Sequence, residues 1–215
     1  MHAFYLHGFA SSSRSQKAAY FGERLKACGI ELRCPDFNEP DFSTLTVTRM
    51  VEQLSADIAG LSSGPIALIG SSLGGVVAIL TAERMPERIT RLVLLAPALA
   101  FPRDAAKILG DERFARWRTD KAVDIFHFGF GQPRLLNYTF YEDALRYDAS
   151  AVSLCQPVLI FQGRWDLAVD PRMVEAYAAA RPKVTLTLFD DDHQLMASLP
   201  AMWTEMSAFL GVSEQ

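Results

Sequence analysis

Cysteine is scarce in this chain, and its three copies do not form a pattern. Cys28, Cys34 and Cys155 are odd in number and widely spaced, with no C-x-x-C pair. That spacing argues against a disulfide framework and against a structural zinc site, so a reducing, cytoplasmic setting is expected. Basic charge is also in short supply: 21 Lys and Arg face 25 Asp and Glu, for a net −4. A nucleic-acid binder normally presents a basic face, so no nucleic-acid partner is expected. Long apolar runs are missing too. The longest, residues 92–101, is broken by Pro97 and is too short to cross a bilayer. Residues 2–6 enter an apolar strand directly, without a basic segment ahead of an apolar one, so no signal peptide is expected. Internal repeats and low-complexity tracts are absent.

What is present is an alternation of strand and helix patterns over 215 residues, half of them hydrophobic. Strands are expected at residues 4–6, 30–34, 66–69, 91–96, 158–161 and 184–189. Helices are expected at 14–28, 44–61, 76–84, 171–180 and 199–210. The 44–61 segment has Val47, Met50, Val51, Leu54 and Ile58 at helical spacing. Glycine and proline mark several boundaries: Gly29, Pro35, Pro86 and Pro171. Such alternation without hairpins predicts a single α/β domain, 1–215, with a mostly parallel six-stranded sheet and helices on both faces. Residues 99–155 break the rhythm. They hold ten aromatics, among them Phe101, Phe114, Trp117 and Tyr141, and no convincing strand. A structureless loop of that length is improbable, so a helical cap insertion over the carboxyl edge of the sheet is expected, with residues 126–131 as an irregular apolar loop. Ligands bind at that edge in open α/β sheets.

The most specific motif is Gly70-x-Ser72-x-Gly74, placed between the apolar run 66–69 and the helical pattern that follows. At average glycine usage this pentapeptide arises by chance in about one chain in twenty, so its context decides its meaning. A strand buried on both faces that turns directly into a helix is the form of a nucleophile elbow. The serine there sits on a strained turn, with small residues two before and two after to let strand and helix pass closely. The unpaired amides at the start of the helix face negative charge developing on a substrate. Ser71 stands one place too early for this role.

A nucleophilic serine needs a base, and the base needs an acid to fix its tautomer. Of the four histidines, His2 is terminal, and His127 reads as an insertion residue near a pocket mouth. His193 follows the last strand in Asp190-Asp191-Asp192-His193-Gln194, where the chain emerges at the carboxyl edge, and is the expected base. The acid is Asp166 or Asp170. Asp166 lies just past the fifth strand, whereas Asp170 directly precedes Pro171 and reads as a helix cap, so Asp166 is preferred. One of Asp190 to Asp192 is expected to brace the His193 loop. The His7-Gly8-Phe9 turn after the first strand aims the Phe9 amide at the same point as the Leu73 amide, giving two oxyanion donors. His7, Gly8 and Ser71 border that point and are the expected substrate-binding residues. Ser13 or Ser15 is expected to cap the next helix.

The order Ser72, Asp166, His193, with an elbow serine and a His-Gly turn, resembles the α/β-hydrolase superfamily across the whole chain except the insertion. Leu-His-Gly-Phe-x-Ser-Ser and Gly-Ser-Ser-Leu-Gly-Gly carry a likeness to small bacterial esterases that begin at a His-Gly-Phe strand. Ser-Ser-Leu-Gly-Gly and Asp-His-Gln-Leu-Met are similar to a depalmitoylating thioesterase branch. The resemblance implies a serine hydrolase of carboxylic esters. The triad itself supplies nucleophile, base and charge stabilisation, so no metal or organic cofactor is expected, and the aromatic insertion favours a small-molecule substrate with an apolar acyl or aryl group. Thioester hydrolysis, acyl transfer, carbon–carbon cleavage or lyase chemistry on the same triad remain open alternatives.

Overall fold

In the computed structural model, which describes residues 1–213, β1 (His2–Leu6) leads through α1 (Gln16–Ala27) to the short β2 (Leu32–Arg33). Next come α2 (Val47–Ala59), β3 (Ile66–Ser71), α3 (Leu73–Arg84) and β4 (Ile89–Leu95). The insertion contributes α4 (Ala105–Leu109), α5 (Asp111–Asp120), β5 (Ala122–His127), β6 (Gln132–Asn137) and α6 (Thr139–Ala144). The chain closes with β7 (Val158–Gly163), α7 (Pro171–Ala179), β8 (Val184–Phe189) and α8 (Leu199–Leu210).

Six strands form one parallel sheet in the order β2-β1-β3-β4-β7-β8. Alternate side chains divide the core. Phe4, Leu6, Ile66, Leu68, Leu92 and Leu94 pack with α2, α3 and α7 on one face. Ala3, Tyr5, Ala67, Ile69, Val93 and Leu95 pack with α1 and α8 on the other. Each fully buried aliphatic side chain contributes roughly 1.5–3 kcal/mol. Neighbouring strands β1 and β3 feed helices on opposite faces, so a crevice opens beyond their carboxyl ends.

Local chemistry sets the element ends. The Ser15 hydroxyl accepts the Ala18 amide and starts α1, and Gly29, at φ 74°, ends it. Asp170 accepts the Arg172 amide ahead of Pro171 and caps α7.

The insertion corrects one expectation. It is not purely helical: β5 and β6 pair antiparallel, with Phe126 opposite Pro133. Residues 126–131, expected as an irregular loop, hold the end of β5 and the hairpin tip. Val123, Ile125 and His127 turn inward in a period of two, while Asp124 and Phe126 face outward or toward solvent. Pro133 hides the partner strand in the sequence, yet each strand of a two-stranded hairpin has a free edge where proline is tolerated.

Candidate active site

Ser72 follows β3 with no intervening loop, at φ 53° and ψ −115°. Such backbone costs of order 1–3 kcal/mol and persists only where its surroundings hold it. Here the Ser72 amide donates to Leu95 O at 2.9 Å, and the Ser72 carbonyl accepts from Gly75 at 2.9 Å and Ala98 at 3.2 Å. Gly74 lies against the end of β1, where an added Cβ would collide with the Leu6 carbonyl and fall 2.9 Å from His7 O. Gly74→Ala must therefore part α3 from β1. The expected cost is about 2–3 kcal/mol, or a fall in Tm of about 5–10 °C for a chain of this size. A thermal melt indistinguishable from wild type contradicts this close approach.

His193 Nε2 lies 3.2 Å from Ser72 Oγ, and its Nδ1 lies 2.8 Å from Asp166 Oδ2. Asp166 is 5 % exposed. Its Oδ2 also accepts the Gln162 amide at 2.8 Å, and its Oδ1 accepts the Ala168 and Val169 amides, both at 2.8 Å. Burial pushes this carboxyl up, but the His193 contact, the Val169 amide and Gln162 outweigh it and hold it below the usual aspartate range. Asp170 is occupied as the cap of α7 and does not meet His193.

The remaining expected residues surround this set. Gly8 packs against Ser72, so that a Cβ there would sit 3.3 Å from Ser72 Cβ. Among the described residues the Phe9 and Leu73 amides donate to no carbonyl. His7 is buried and faces away from solvent: its Nε2 accepts the Phe37 amide at 3.0 Å, beside Asp36. Ser71 is buried, and its hydroxyl meets the Tyr5 phenol. His127, expected near a pocket mouth, has no exposure at all; Phe42 and Phe130 enclose its ring. Among the described residues no group of three or more His, Cys, Asp or Glu side chains is placed to hold a metal ion, and no helix is long and apolar enough to cross a membrane.

The brace of the His193 loop expected among Asp190 to Asp192 is Asp191, which accepts the Ser198 amide and hydroxyl, while Asp192 accepts the Gln194 amide at 2.7 Å. Two further residues that shape the site, Gly163 and Lys17, escape a reading of motifs. Gly163 lets β7 pack on that loop, since a Cβ there would overlap the Asp191 and Asp192 carbonyls. Lys17, buried on α1, donates from Nζ to Gln194 O at 2.9 Å. Its signal in the sequence is a lysine on the apolar stripe of Phe21, Leu25 and Cys28.

Burial pushes the Lys17 ammonium down to about 8, although Asp192, Asp191 and Asp166 favour its charge. In the unfolded chain it keeps the ordinary value of 10.5. Between those limits the unfolded state binds more protons, so stability rises with pH. The unfolding free energy of wild type relative to Lys17→Met is expected to increase from pH 7 to pH 10 in urea titrations. A difference that stays flat or falls over that range contradicts the buried charge.

The sheet order, the elbow after β3 and the His193 loop after β8 are those of the α/β-hydrolase fold. Residues 2–210 match the family described as "Uncharacterised protein family (UPF0227)". The chain belongs to the UPF0227 family. Among solved structures, this UPF0227 chain is similar to a putative hydrolase from Agrobacterium vitis, with a TM-score of 0.84 and 23% identity over 96% of this chain and 87% of that one. It is likewise similar to Est1E from Butyrivibrio proteoclasticus with ferulic acid bound, at a TM-score of 0.83 and 21% identity, covering 97% and 87% of the two chains. At these identities the likeness is one of fold. In sequence it is 33% identical over 120 residues to the biotin biosynthesis bifunctional protein BioHC of Teredinibacter turnerae, a match that covers 53% of this chain and 20% of that protein. The chain thus spans about a fifth of that relative's length.

Proposed function

We propose that this protein is a serine hydrolase of carboxylic esters, with Ser72 as nucleophile, His193 as base and acid, and Asp166 as the group that orients the imidazole. The observation that carries this reading is the continuous contact from Asp166 Oδ2 through His193 to Ser72 Oγ, at 2.8 and 3.2 Å, on a serine at φ 53°. His193 Nδ1–H donates to Asp166, which leaves the Nε2 lone pair directed at the Ser72 hydroxyl. Ser72 Oγ attacks the ester carbonyl as Nε2 takes its proton. The Phe9 and Leu73 amides, which have no carbonyl partner among the described residues, receive the oxyanion, a contribution of about 3–4 kcal/mol per donor in known sites. His193 then protonates the departing alcohol as its C–O bond breaks, leaving an acyl group on Ser72. Water, deprotonated by His193, attacks that acyl carbonyl, releases the acid and restores the Ser72 hydroxyl.

The rings of Phe9, Phe140 and Phe101 follow one another at centroid distances of 5.3 and 5.5 Å beside this turn. They support an apolar acyl or aryl group on the substrate, as does the ferulic acid bound to Est1E. The test is a panel of p-nitrophenyl esters and acyl thioesters of graded chain length, run with and without EDTA. Ester turnover unaffected by the chelator is expected. Thioester turnover without ester turnover shifts the substrate class, and failure of the whole panel removes the hydrolase reading.

A further inference from the structure

His127 is a titratable side chain without solvent exposure, and it has no part in the chemistry above. Its Nδ1 accepts the Phe130 amide at 3.2 Å, which leaves the ring proton on Nε2, and Nε2 donates to Asn38 Oδ1 at 2.9 Å. The buried Asn38 gives its own amide protons to Ser11 O at 2.9 Å and to Asp36 Oδ1 at 2.8 Å. Ser11 in turn donates its amide to Gly8 O at 3.3 Å, closing the turn that carries Phe9. The hairpin touches that turn a second time. Gly129 donates its amide to Ala10 O at 3.4 Å and lies so close that a Cβ would sit 2.9 Å from Ser12 Cβ. Ala10 itself has φ 52°, a conformation that alanine adopts at a cost and that needs outside support.

We propose that His127 and Asn38 are positioning residues that clamp the β5–β6 hairpin onto the Phe9–Ser11 turn, aiming the Phe9 amide at the reacting carbonyl, and that protonation of His127 releases the clamp. The inference rests on the reading of Ser72 as nucleophile and adds a conformational control to it. A second ring proton, on Nδ1, confronts the Phe130 N–H with another donor, so the tip contact is lost. Burial, the first influence on the ring, disfavours the charged form and moves His127 below the ordinary histidine range. The charged and titratable groups around it divide: His7 at the end of β1 and Arg134 on β6 oppose the charge, and Asp36 favours it. Beside His7 the Asp36 carboxyl is itself held down to about 2, so it keeps its charge well below neutral pH. The clamp is therefore closed at neutral pH and opens as the solution becomes acidic.

The test compares wild type with His127→Gln, which keeps a donor but does not titrate, and His127→Phe, which keeps the ring and loses the donor. Fluorophosphonate labelling of Ser72 comes first: a wild type that does not label overturns the nucleophile reading and leaves no reaction to control. With labelling established, His127→Phe is expected to lower kcat for p-nitrophenyl butyrate about 10–100-fold, with KM nearly unchanged, as for a misaimed oxyanion donor. His127→Gln is expected to retain kcat within about threefold and to lose the steeper acid limb, its log kcat against pH falling with a slope near one where wild type approaches two. Hydrogen-exchange protection of residues 9–13 is expected to drop in wild type as the pH is lowered below the ordinary histidine range and to hold in His127→Gln, a readout that stands even if His127→Phe does not fold. Matching acid limbs and matching exchange in wild type and His127→Gln overturn the clamp while leaving the nucleophile in place.

Discussion

Replacing His193 with alanine is expected to lower kcat toward p-nitrophenyl butyrate by about four to six orders of magnitude, with KM moving only a few-fold. The Ser72 hydroxyl is a weak nucleophile without a base, and among the contacts of its Oγ the nearest ring nitrogen is His193 Nε2, at 3.2 Å. Removal of the imidazole leaves the elbow, the free Phe9 and Leu73 amides and the aromatic stack in place, so binding survives while the proton transfer is lost. The effect is not additive. Groups that act as one unit fail together, so the Ser72→Ala/His193→Ala pair is expected to lose little more than either change alone. Activity within tenfold of wild type in His193→Ala contradicts the assignment of the base.

Asp166→Asn is expected to cost about 10⁴-fold in kcat, in line with the known effect of turning a triad carboxylate into an amide. The neighbours of Asp166 explain the size. Ala168 and Val169 both donate to Oδ1, so the amide oxygen must stay there and the new NH2 group must face His193 and Gln162. A donor facing His193 Nδ1 forces the ring proton onto Nε2, where it points at Ser72 and blocks the transfer. The same NH2 group meets the Gln162 amide donor head-on, an unpaired buried contact that also lowers stability. Asp170→Asn, which alters only the α7 cap, is expected to remain within about tenfold. Reversed outcomes for the two variants reverse their roles. The pH dependence has a defined sign: the folded Asp166 carboxyl lies below its ordinary value of 3.8, so its stabilisation is present above that value and fades as pH falls through the folded one.

The sheet was legible because its strands obey simple rules. Residues 66–69 read as an unbroken apolar run because helices cover both faces of the sheet there, and the strand continues through Gly70 to Ser71; β8 and α8 lie at the residues that their patterns predict. The elbow was legible because the close passage of α3 over β1 admits only glycine at position 74. The placement of α2 was less so. Its apolar spacing fits from Val47 onward, but Phe42–Thr44 forms a separate 3₁₀ turn capped by Asp41. The hairpin was hidden by Pro133, and the clamp by distance along the chain: 89 residues separate His127 from Asn38, and no periodicity links them. Lys17 shows the same limit, since a lysine on an apolar stripe signals something buried but does not name Gln194 as its acceptor.

The central claim is that Ser72 is the nucleophile, and the most direct test is covalent. Wild-type protein treated with a fluorophosphonate and digested for peptide mass spectrometry is expected to carry one adduct, on Ser72 rather than on the adjacent buried Ser71, and Ser72→Ala is expected to carry none. An unlabelled wild type, or an adduct that persists in Ser72→Ala, contradicts it.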